Sequence, residues 1–345
     1  MPRMCETAPM THRLRIEPHG REVTVRDGQS LLDAALGAGI NLPHSCKSGH
    51  CASCRAQLLS GATHYPNGQP LGLTPLESAQ GKVLLCQARA VSSELTVRAR
   101  VVARAGEGEI RTLPCRIERR RFLNDDVLQL FLRLPATEAV RFGPGQYLDV
   151  LLDGGRRRSF SIASPPHDSQ LLELHVRRVP TGEFSKRLFD ELQEGALLRI
   201  ELPIGQFIYK HGPGPMLALA GGTGFAPIKS ILRHLLERET PRPVHLYWGA
   251  RQASDAYEDA MLLDWVARYN NLKYTVVLSA AGVALQTHHL LGWIHDRVLQ
   301  DYKELDNHDV YAAGPPQMIS ALRAVLPRAG LDPDRFWFDS FDYAK

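Results

Sequence analysis

Four cysteines in the first quarter of the chain have the type and spacing to bind an iron-sulfur cluster. Cys46, Cys51 and Cys54 form the pattern C-x4-C-x2-C, and Cys86 follows after 31 further residues. This is the spacing of plant-type [2Fe-2S] ligation, and in such a cluster each iron takes two thiolates. Gly49 lies inside the loop and allows the positive φ that tight wrapping often requires. The pattern therefore predicts a [2Fe-2S] cluster held by these four thiolates.

Two other metal centres are compatible with parts of the pattern. Four cysteines also suit a structural zinc ion, although zinc sites usually combine two close Cys-x2-Cys pairs and only one occurs here. A Rieske centre replaces two cysteines by histidines, and His44 and His50 do not follow that arrangement. Six cysteines in 345 residues are also too few for a disulfide scaffold. The spacing favours the iron-sulfur interpretation.

A second candidate site is a glycine-rich turn late in the chain. Gly221, Gly222, Thr223 and Gly224 follow the apolar segment MLALA and precede a predicted helix beginning near Pro227. Glycines allow the backbone to approach a pyrophosphate, and the N-terminus of a helix favours its negative charge. Many α/β turns use glycine for packing alone, so this turn indicates a dinucleotide only together with other evidence.

The elements that must position these residues fall into three segments joined by a linker. Residues 12–102 contain a predicted hairpin, two short capped helices and a strand, KVLLC, that ends on Cys86. Residues 103–109 are small, charged and glycine-bearing, which predicts a linker. Residues 110–211 contain short alternating segments, as in an antiparallel barrel or sandwich, and residues 212–345 alternate strand with helix, as in a doubly wound parallel sheet.

Composition and charge exclude several other classes of protein. Hydrophobic residues make up 44% and charged residues 23%, which are ordinary globular values. No apolar run approaches the ~20 residues that cross a bilayer, and the first residues lack the apolar stretch of a signal peptide. We therefore expect a soluble, cytoplasmic protein that binds neither membrane nor nucleic acid. The net charge of the chain is +4, and residues 12–104 taken alone have a net charge of +5.

Together these motifs resemble the ferredoxin-NAD(P)H reductase family. The loop PHSCKSGHCASC and the later LLC resemble a plant-type ferredoxin domain, RRRSFSIAS resembles the flavin signature of the family, and AAGPPQM resembles its second nicotinamide turn. The resemblance covers nearly the whole chain. It implies an α+β ferredoxin (β-grasp) domain, an antiparallel β-barrel flavin domain and an α/β doubly wound nicotinamide-nucleotide domain, in that order.

The resemblance implies that the flavin is bound by the strand RRRSFSIAS. Arg158 would bind a flavin phosphate, Phe160 would cover the ring system, and Ser161 would hydrogen-bond at the reacting edge. Phe160 replaces the commoner tyrosine and so lacks a hydroxyl for the ribityl chain. A Gly-x-x-Ser pattern opens a following helix, whose N-terminus could bind pyrophosphate and favours FAD over FMN. The remaining predicted flavin residues are Ser159, His175, Gly182 and Ser185.

The resemblance also implies residues for the nicotinamide cofactor. Gly314 and Pro315 belong to the family's Cys-Gly-Pro turn, in which Ala313 here replaces the cysteine. Arg251 in YWGAR would contact the adenosine ribose or a 2′-phosphate, so NADH and NADPH both remain possible, with NADH favoured by the family.

The C-terminal segment FWFDSFDYAK differs from relatives that place a glutamate there. Phe341 would stack near the flavin until the nicotinamide displaces it, and Asp339 would hydrogen-bond nearby. Both could equally be ordinary residues of a terminal strand. With Ser161, they are the predicted catalytic residues.

Three cofactor sites in one chain imply an electron-transfer enzyme. NADH gives two electrons as hydride, a [2Fe-2S] cluster accepts one at a time, and FAD converts between the two. The domain order is similar to reductase components of dioxygenases and monooxygenases and to CDP-6-deoxy-glucoseen reductase, which implies a transient protein acceptor such as an oxygenase or a dehydratase. The positive first segment would attract an acidic acceptor at low salt.

Two alternative functions remain open. A self-contained diaphorase or NADH oxidase would use all three sites without a protein acceptor. A zinc or iron-sulfur sensor would explain the cysteines but would leave the flavin and nicotinamide signatures without a purpose.

Overall fold

The computed structural model describes residues 11–40, 42–44, 47, 49, 52–99, 110–180, 182–239, 241–280 and 286–341. These residues form two compact units, an N-terminal unit up to residue 99 and a C-terminal unit from residue 110. The predicted linker 103–109 and the predicted ligands Cys46 and Cys51 lie outside the described residues.

The N-terminal unit is a mixed β-sheet with two short helices. Its elements are β1 (Thr11–Glu17), β2 (Arg21–Arg26), α1 (Leu31–Gly37), β3 (Arg55–Ser60), β4 (Thr63–His64), α2 (Pro75–Ala79), β5 (Lys82–Leu84), β6 (Arg89–Ala90) and β7 (Glu94–Arg98). Five strands form a sheet in the order β2-β1-β7-β3-β5, in which only β1 and β7 pair in parallel. The arrangement confirms the predicted α+β ferredoxin fold.

Side-chain caps begin both helices of this unit, as the sequence predicts. The Ser30 hydroxyl accepts a hydrogen bond from the backbone N–H of Asp33 at 3.0 Å. Thr74 and Glu77 form a reciprocal capping box, with Pro75 in the first turn of α2. These caps satisfy backbone donors that no intrahelical carbonyl can reach, so the short helices begin at defined residues.

The first half of the C-terminal unit is an antiparallel barrel. Its elements are β8 (Arg111–Phe122), β9 (Val127–Arg133), β10 (Tyr147–Leu151), β11 (Arg157–Ser161), β12 (Leu171–Arg177), α3 (Glu183–Asp190) and β13 (Leu197–Ile204). The strand order is β11-β10-β13-β8-β9-β12, and a bridge between Ile162 and Leu174 joins the two ends of the sheet. Alternate residues of these strands fill a closed apolar core, which α3 covers with Phe184, Leu188 and Phe189.

The second half of this unit is a parallel sheet with helices on both faces. Its elements are β14 (Met216–Gly221), α4 (Phe225–Arg238), β15 (Val244–Ala250), α5 (Asp259–Arg268), β16 (Leu272–Leu278), β17 (His289–Leu291), α6 (Ile294–Asp301), β18 (Asp309–Gly314), α7 (Pro316–Val325) and β19 (Phe336–Ser340). The strand order is β17-β16-β15-β14-β18-β19, which confirms the predicted doubly wound fold.

The central strand β14 explains where a ligand can bind. Met216, Ala218 and Ala220 pack into the core on one face of the sheet, and Leu217 and Leu219 pack into the core on the other. Because both faces of this strand are buried, its sequence is a continuous apolar run. Its neighbours β15 and β18 continue the sheet in opposite directions, so the crevice at their carboxyl ends is the expected ligand position.

Among the described residues, no helix has both the length and the apolar character needed to cross a bilayer.

Candidate cofactor sites

Two of the predicted cluster ligands, Cys54 and Cys86, lie side by side in the N-terminal unit. The backbone N–H of Cys86 points to Cys54 Sγ at 3.5 Å, and both side chains are buried. The sequence predicts a strand that reaches Cys86, but β5 ends at Leu84. Residues 85–87 form a turn instead, and this turn carries Cys86 beside Cys54.

Side chains beside this turn hydrogen-bond to the backbone of Leu84 and of Lys47. The Tyr65 hydroxyl accepts a hydrogen bond from the Leu84 N–H at 3.0 Å, and burial raises the pKa of that phenol. Gln87 Nε2 donates to the carbonyl of Lys47 at 2.7 Å. Tyr65 was not identified from the sequence, since a lone tyrosine in a loop carries no distinctive pattern.

The loop geometry fits a cluster-binding turn. Lys47 and Ala52 have positive φ values of 51° and 55°, which side-chain-bearing residues rarely adopt. Gly49 has a φ of +82°, and a β-carbon there would lie 2.7 Å from Gln87 Cγ and 2.8 Å from Pro70 Cβ. Strained residues of this kind cluster at binding sites. Two adjacent buried thiols beside such a loop fit a [2Fe-2S] cluster.

The predicted flavin strand β11 presents two faces. Phe160 and Arg158 lie opposite Leu148 and Val150 of β10, and the Phe160 ring lies 5.9 Å from that of Phe184 in α3. On the other face, the Ser159 hydroxyl donates to Asp149 at 2.6 Å. Ser159 therefore links β11 to its neighbour β10. Arg158 and Phe160 lie on the opposite face, which continues towards α3. Ser161 is half-buried at the end of the strand.

The start of α3 offers the elements of an anion site. Gly182 is its N-cap, and no side chain among the described residues caps it. The Ser185 hydroxyl bonds instead to the backbone of Val179 and Gly182, which holds the preceding turn. The hydrogen bond from Arg156 holds the pKa of Glu183 below its usual value, and Arg158 adds to this effect. Uncapped amides with nearby guanidinium groups fit the pyrophosphate of FAD.

A cavity of about 480 Å³ opens at the carboxyl ends of the parallel strands. Four predicted nicotinamide residues line it: Gly221, Gly222, Arg251 and Pro315. Thr223 and Gly224 continue the turn into α4, which begins at Phe225, two residues earlier than predicted. A β-carbon at Gly224 would overlap the carbonyl of Ala313, so this glycine lets α4 pack against β18. The cavity lies where a dinucleotide is expected.

Arg177, a residue of the barrel, also lines this cavity and was not identified from the sequence. Its side chain is 16% exposed, and its Nε lies 3.6 Å from Asp126 Oδ2. Nε and Nη2 are buried and have no hydrogen-bond partner among the described residues. The guanidinium lies 3.6–3.7 Å from the position that a β-carbon of Gly222 would take. A buried guanidinium with unused donors beside a glycine turn fits an anionic dinucleotide.

The predicted cavity residue Arg251 is paired with two carboxylates. Its Nε donates to Asp255 Oδ2 at 3.1 Å, and its Nη2 lies 3.8 Å from Asp126 Oδ2. Asp255 is buried and lines the same cavity. The positive charge of Arg251 is therefore already partly neutralised.

The two predicted tail residues lie beside the second nicotinamide turn. Asp339 is buried in β19 opposite Ala313, and the Phe341 N–H donates to the Gly314 carbonyl at 3.0 Å. The Phe341 ring is half-buried against the core of the sheet. The structure thus brings both residues near Gly314, and their catalytic roles stay a prediction.

His175 lies inside the barrel–sheet junction rather than at the cavity wall. Its Nε2 lies 2.8 Å from Glu173 Oε1, and its Nδ1 lies 3.1 Å from the Tyr257 hydroxyl. The ring is fully enclosed by protein. Its predicted contact with a cofactor stays a prediction, and the contacts present here are to other side chains.

Three family models match successive parts of the chain. Residues 14–91 match the 2Fe-2S iron-sulfur cluster binding domain, residues 114–209 the oxidoreductase FAD-binding domain, and residues 218–324 the oxidoreductase NAD-binding domain. These matches confirm the three predicted cofactors, the [2Fe-2S] cluster, FAD and NAD, and their order along the chain.

Whole-chain relatives agree with the domain matches. The chain is 36% identical to CDP-6-deoxy-L-threo-D-glycero-4-hexulose-3-dehydrase reductase of Yersinia pestis, over 96% of this chain and 99% of that protein. It is 35% identical to terephthalate 1,2-dioxygenase reductase component 1 of Comamonas, over 96% and 98%. The crystal structure of the Amycolatopsis cytochrome P450 reductase GcoB aligns with a TM-score of 0.72 and 31% identity, over 96% and 99%. The chain therefore belongs to the ferredoxin-NAD(P)H reductase family, in the group whose members carry a 2Fe-2S domain before the FAD-binding and NAD-binding domains.

Proposed function

We propose that this oxidoreductase takes hydride from NADH and passes electrons one at a time, by way of FAD and the [2Fe-2S] cluster, to a separate acceptor protein. The observation that carries this proposal is the presence of all three cofactor domains in one chain, in the order cluster, flavin, nicotinamide. FAD supplies the step from electron pairs to single electrons, which neither of the other two cofactors can perform alone. The predicted segments 12–102, 110–211 and 212–345 are our proposed domain bounds.

The residues of the chain position the cofactors and exclude water. Cys54 and Cys86 would contribute two of the four thiolates, with Cys46 and Cys51 as the proposed others. Arg158, Phe160 and the start of α3 would hold the phosphate and ring of FAD. No general base is required, because hydride transfer moves no separate proton to the protein.

On the nicotinamide side, the turn at Gly221 and Gly222 would receive the dinucleotide backbone, and Arg177 would neutralise its pyrophosphate. Ser161, Asp339 and Phe341 are proposed to lie against the reacting rings. Support for the last two is their position beside Gly314, at the carboxyl end of the parallel sheet.

We propose that the acceptor is an oxygenase or dehydratase component that binds transiently. The relatives support this, since their names describe reductases of a hexulose dehydrase and of terephthalate dioxygenase. Electron-transfer encounters usually bury a small area, which permits rapid exchange of partners.

NADH is the proposed electron donor, in preference to NADPH. Asp255 lies in the cavity and is hydrogen-bonded to Arg251, whose charge it neutralises. A carboxylate can accept a hydrogen bond from a ribose hydroxyl but repels a 2′-phosphate. The pairing of Arg251 also leaves less positive charge to bind that phosphate.

Anaerobic titration of the purified protein with NADH, followed by absorbance, tests the function. We expect FAD and about two irons per chain, with bleaching of both chromophores and faster reaction with NADH than with NADPH. Zinc without flavin would instead indicate a sensor. Rapid oxygen consumption without any partner would indicate an oxidase, and either result would overturn the proposal.

A further inference from the structure

Four ionisable side chains are buried together where the barrel meets the parallel sheet. We call Glu173, His175, Lys229 and Glu258 the junction cluster. Glu173 and His175 belong to β12 of the barrel, Lys229 belongs to α4, and Glu258 directly precedes α5. None of the four side chains is more than 5% exposed. Both halves of the C-terminal unit therefore contribute charges to one enclosed site.

The contacts within the junction cluster are short and converge on Lys229. Its Nζ donates to Glu173 Oε1 at 2.8 Å and to Glu258 Oε2 at 2.6 Å. The same Glu173 oxygen also accepts from Gln129 and lies 2.8 Å from His175 Nε2. Although burial opposes ionisation, His175 and Lys229 hold the pKa of Glu173 well below its usual value. One ammonium group thus joins a carboxylate of the barrel to a carboxylate of the sheet domain.

Such an arrangement contributes little to stability compared with apolar packing. Each charge loses its hydration on burial, and the mutual attraction roughly offsets this loss. What a buried ion pair does provide is a narrow choice of geometry, because any displacement leaves a charge without its partner. The junction cluster therefore restricts how β12 and α4 lie relative to one another.

A chain of contacts connects the junction cluster to the glycine turn of the cavity. The Tyr257 hydroxyl lies 3.1 Å from His175 Nδ1, and its ring packs edge-on against Trp248 at 4.9 Å between centroids. Trp248 Nε1 donates to the Gly222 carbonyl at 3.1 Å. On the barrel side, Arg177 lies two residues beyond His175 on β12 and lines the cavity. The junction cluster is therefore connected to the nicotinamide cavity through both the sheet and the barrel.

We propose that Lys229 is a positioning residue that sets the distance between the flavin and the nicotinamide, an inference that rests on the proposed function. It contacts neither cofactor site directly. By joining Glu173 to Glu258 it fixes α4 and the glycine turn against β12, and so fixes the hydride-transfer distance. A displacement of about 1 Å at a reacting centre can lower a rate about 100-fold.

The test compares Lys229→Met with Lys229→Arg and with Lys273→Met, a matched control on the exposed surface of β16. If Lys229→Met does not fold, a triple variant replaces it in the comparison: Glu173→Gln with Lys229→Met and Glu258→Gln. In this variant the two carboxylates are removed together with their partner, so neither is left buried and unpaired. The holoprotein is measured by stopped-flow flavin reduction at saturating NADH and by calorimetric titration with NAD⁺. Hydrogen exchange of residues 252–262 reports the junction without any turnover.

Lys229→Met and the triple variant are expected to reduce flavin about 30–100-fold more slowly, while their affinity for NAD⁺ changes less than threefold. Exchange in residues 252–262 should increase in both, and Lys229→Arg should recover much of the rate.

The inference is overturned if the folded variants reduce flavin at the wild-type rate, or if the NAD⁺ affinity falls as much as the rate. A lower melting temperature with an unchanged rate would assign the junction cluster to stability alone. Wild-type protein that NADH does not reduce would instead overturn the proposed function.

Discussion

Replacement of Arg177 by methionine gives the most direct test of the nicotinamide cavity. The side chain comes from the barrel but lies against the glycine turn of the other half of the unit. Two of its nitrogens are buried and have no hydrogen-bond partner among the described residues. In the protein without dinucleotide these N–H groups lose hydration and receive no hydrogen bond in return, which is unfavourable. An anionic ligand would remove that penalty.

The expected loss of NAD⁺ affinity in Arg177→Met follows from the contacts of this guanidinium. A hydrogen bond to a charged group contributes about 1.5–3 kcal/mol. The ion pair with Asp126 at 3.6 Å already uses part of the charge of Arg177, so we take about 2–3 kcal/mol for the whole guanidinium. Since 1.4 kcal/mol is a tenfold change, the Arg177→Met variant should bind NAD⁺ about 30–150-fold more weakly. Its free energy of unfolding should not fall, because Asp126 is 34% exposed and can be hydrated.

Calorimetric titration of the oxidised holoprotein with NAD⁺ measures this affinity, and Arg178→Met provides the matched control. Arg178 is the adjacent residue, is 44% exposed and pairs with Asp190 at 3.3 Å. The control should bind NAD⁺ like the wild type. Equal affinities for Arg177→Met and wild type would refute the assignment. Loss of bound FAD in place of NAD⁺ affinity would show that Arg177 belongs to the flavin site.

Four further predictions concern the other sites. Cys54→Ser should lose iron and cluster absorbance while NADH still bleaches the flavin. The control Cys115→Ser should keep its iron, because burial in the barrel raises the pKa of Cys115 to about 12 and keeps it an unreactive thiol; iron analysis distinguishes the two variants. Asp255→Asn should raise the ratio of kcat/KM for NADPH over NADH about tenfold, since a repelling charge is removed; an unchanged ratio would contradict the proposed contact. Gly224→Ala should lower both the melting temperature and the affinity for NAD⁺, because its β-carbon overlaps the Ala313 carbonyl; normal values of both would be inconsistent with the packing described. Raising the salt concentration should slow reduction of an acidic acceptor protein but hardly change reduction of a neutral dye; equal responses would exclude electrostatic steering.

Sequence reasoning succeeded where the signal is local. The helix starts at Ser30 and Thr74 were predictable because a cap involves residues only three positions apart. The glycine turn was predictable because an apolar strand, a glycine run and a helix follow one another directly. Element ends were less accurate: β5 ends at Leu84 and α4 begins at Phe225, because contacts with distant residues decide where a strand turns or a helix begins.

The residues that sequence reasoning missed are those whose partners lie far along the chain. In the sequence, Lys229 is an ordinary polar residue of an amphipathic helix. In the structure its ammonium group is buried between two carboxylates, those of Glu173, 56 residues earlier, and of Glu258. Arg177 reads as one arginine of an alternating strand, and nothing local places it beside Gly222. The contact of His175 with a cofactor stays a prediction, and only the structure shows that its neighbours are Glu173 and Tyr257.

The sequence by itself determined the order of the three domains, and it predicted their chemistry from four cysteines at cluster spacing, a candidate flavin strand and two candidate nicotinamide turns. Those features are written in short stretches whose spacing and turn residues act over a few positions. Only the tertiary structure decided which side chains meet across the junction of barrel and sheet, where Arg177 reaches the cavity and Lys229 joins two carboxylates. Such contacts depend on how the barrel and the parallel sheet pack together, and no local pattern encodes that packing.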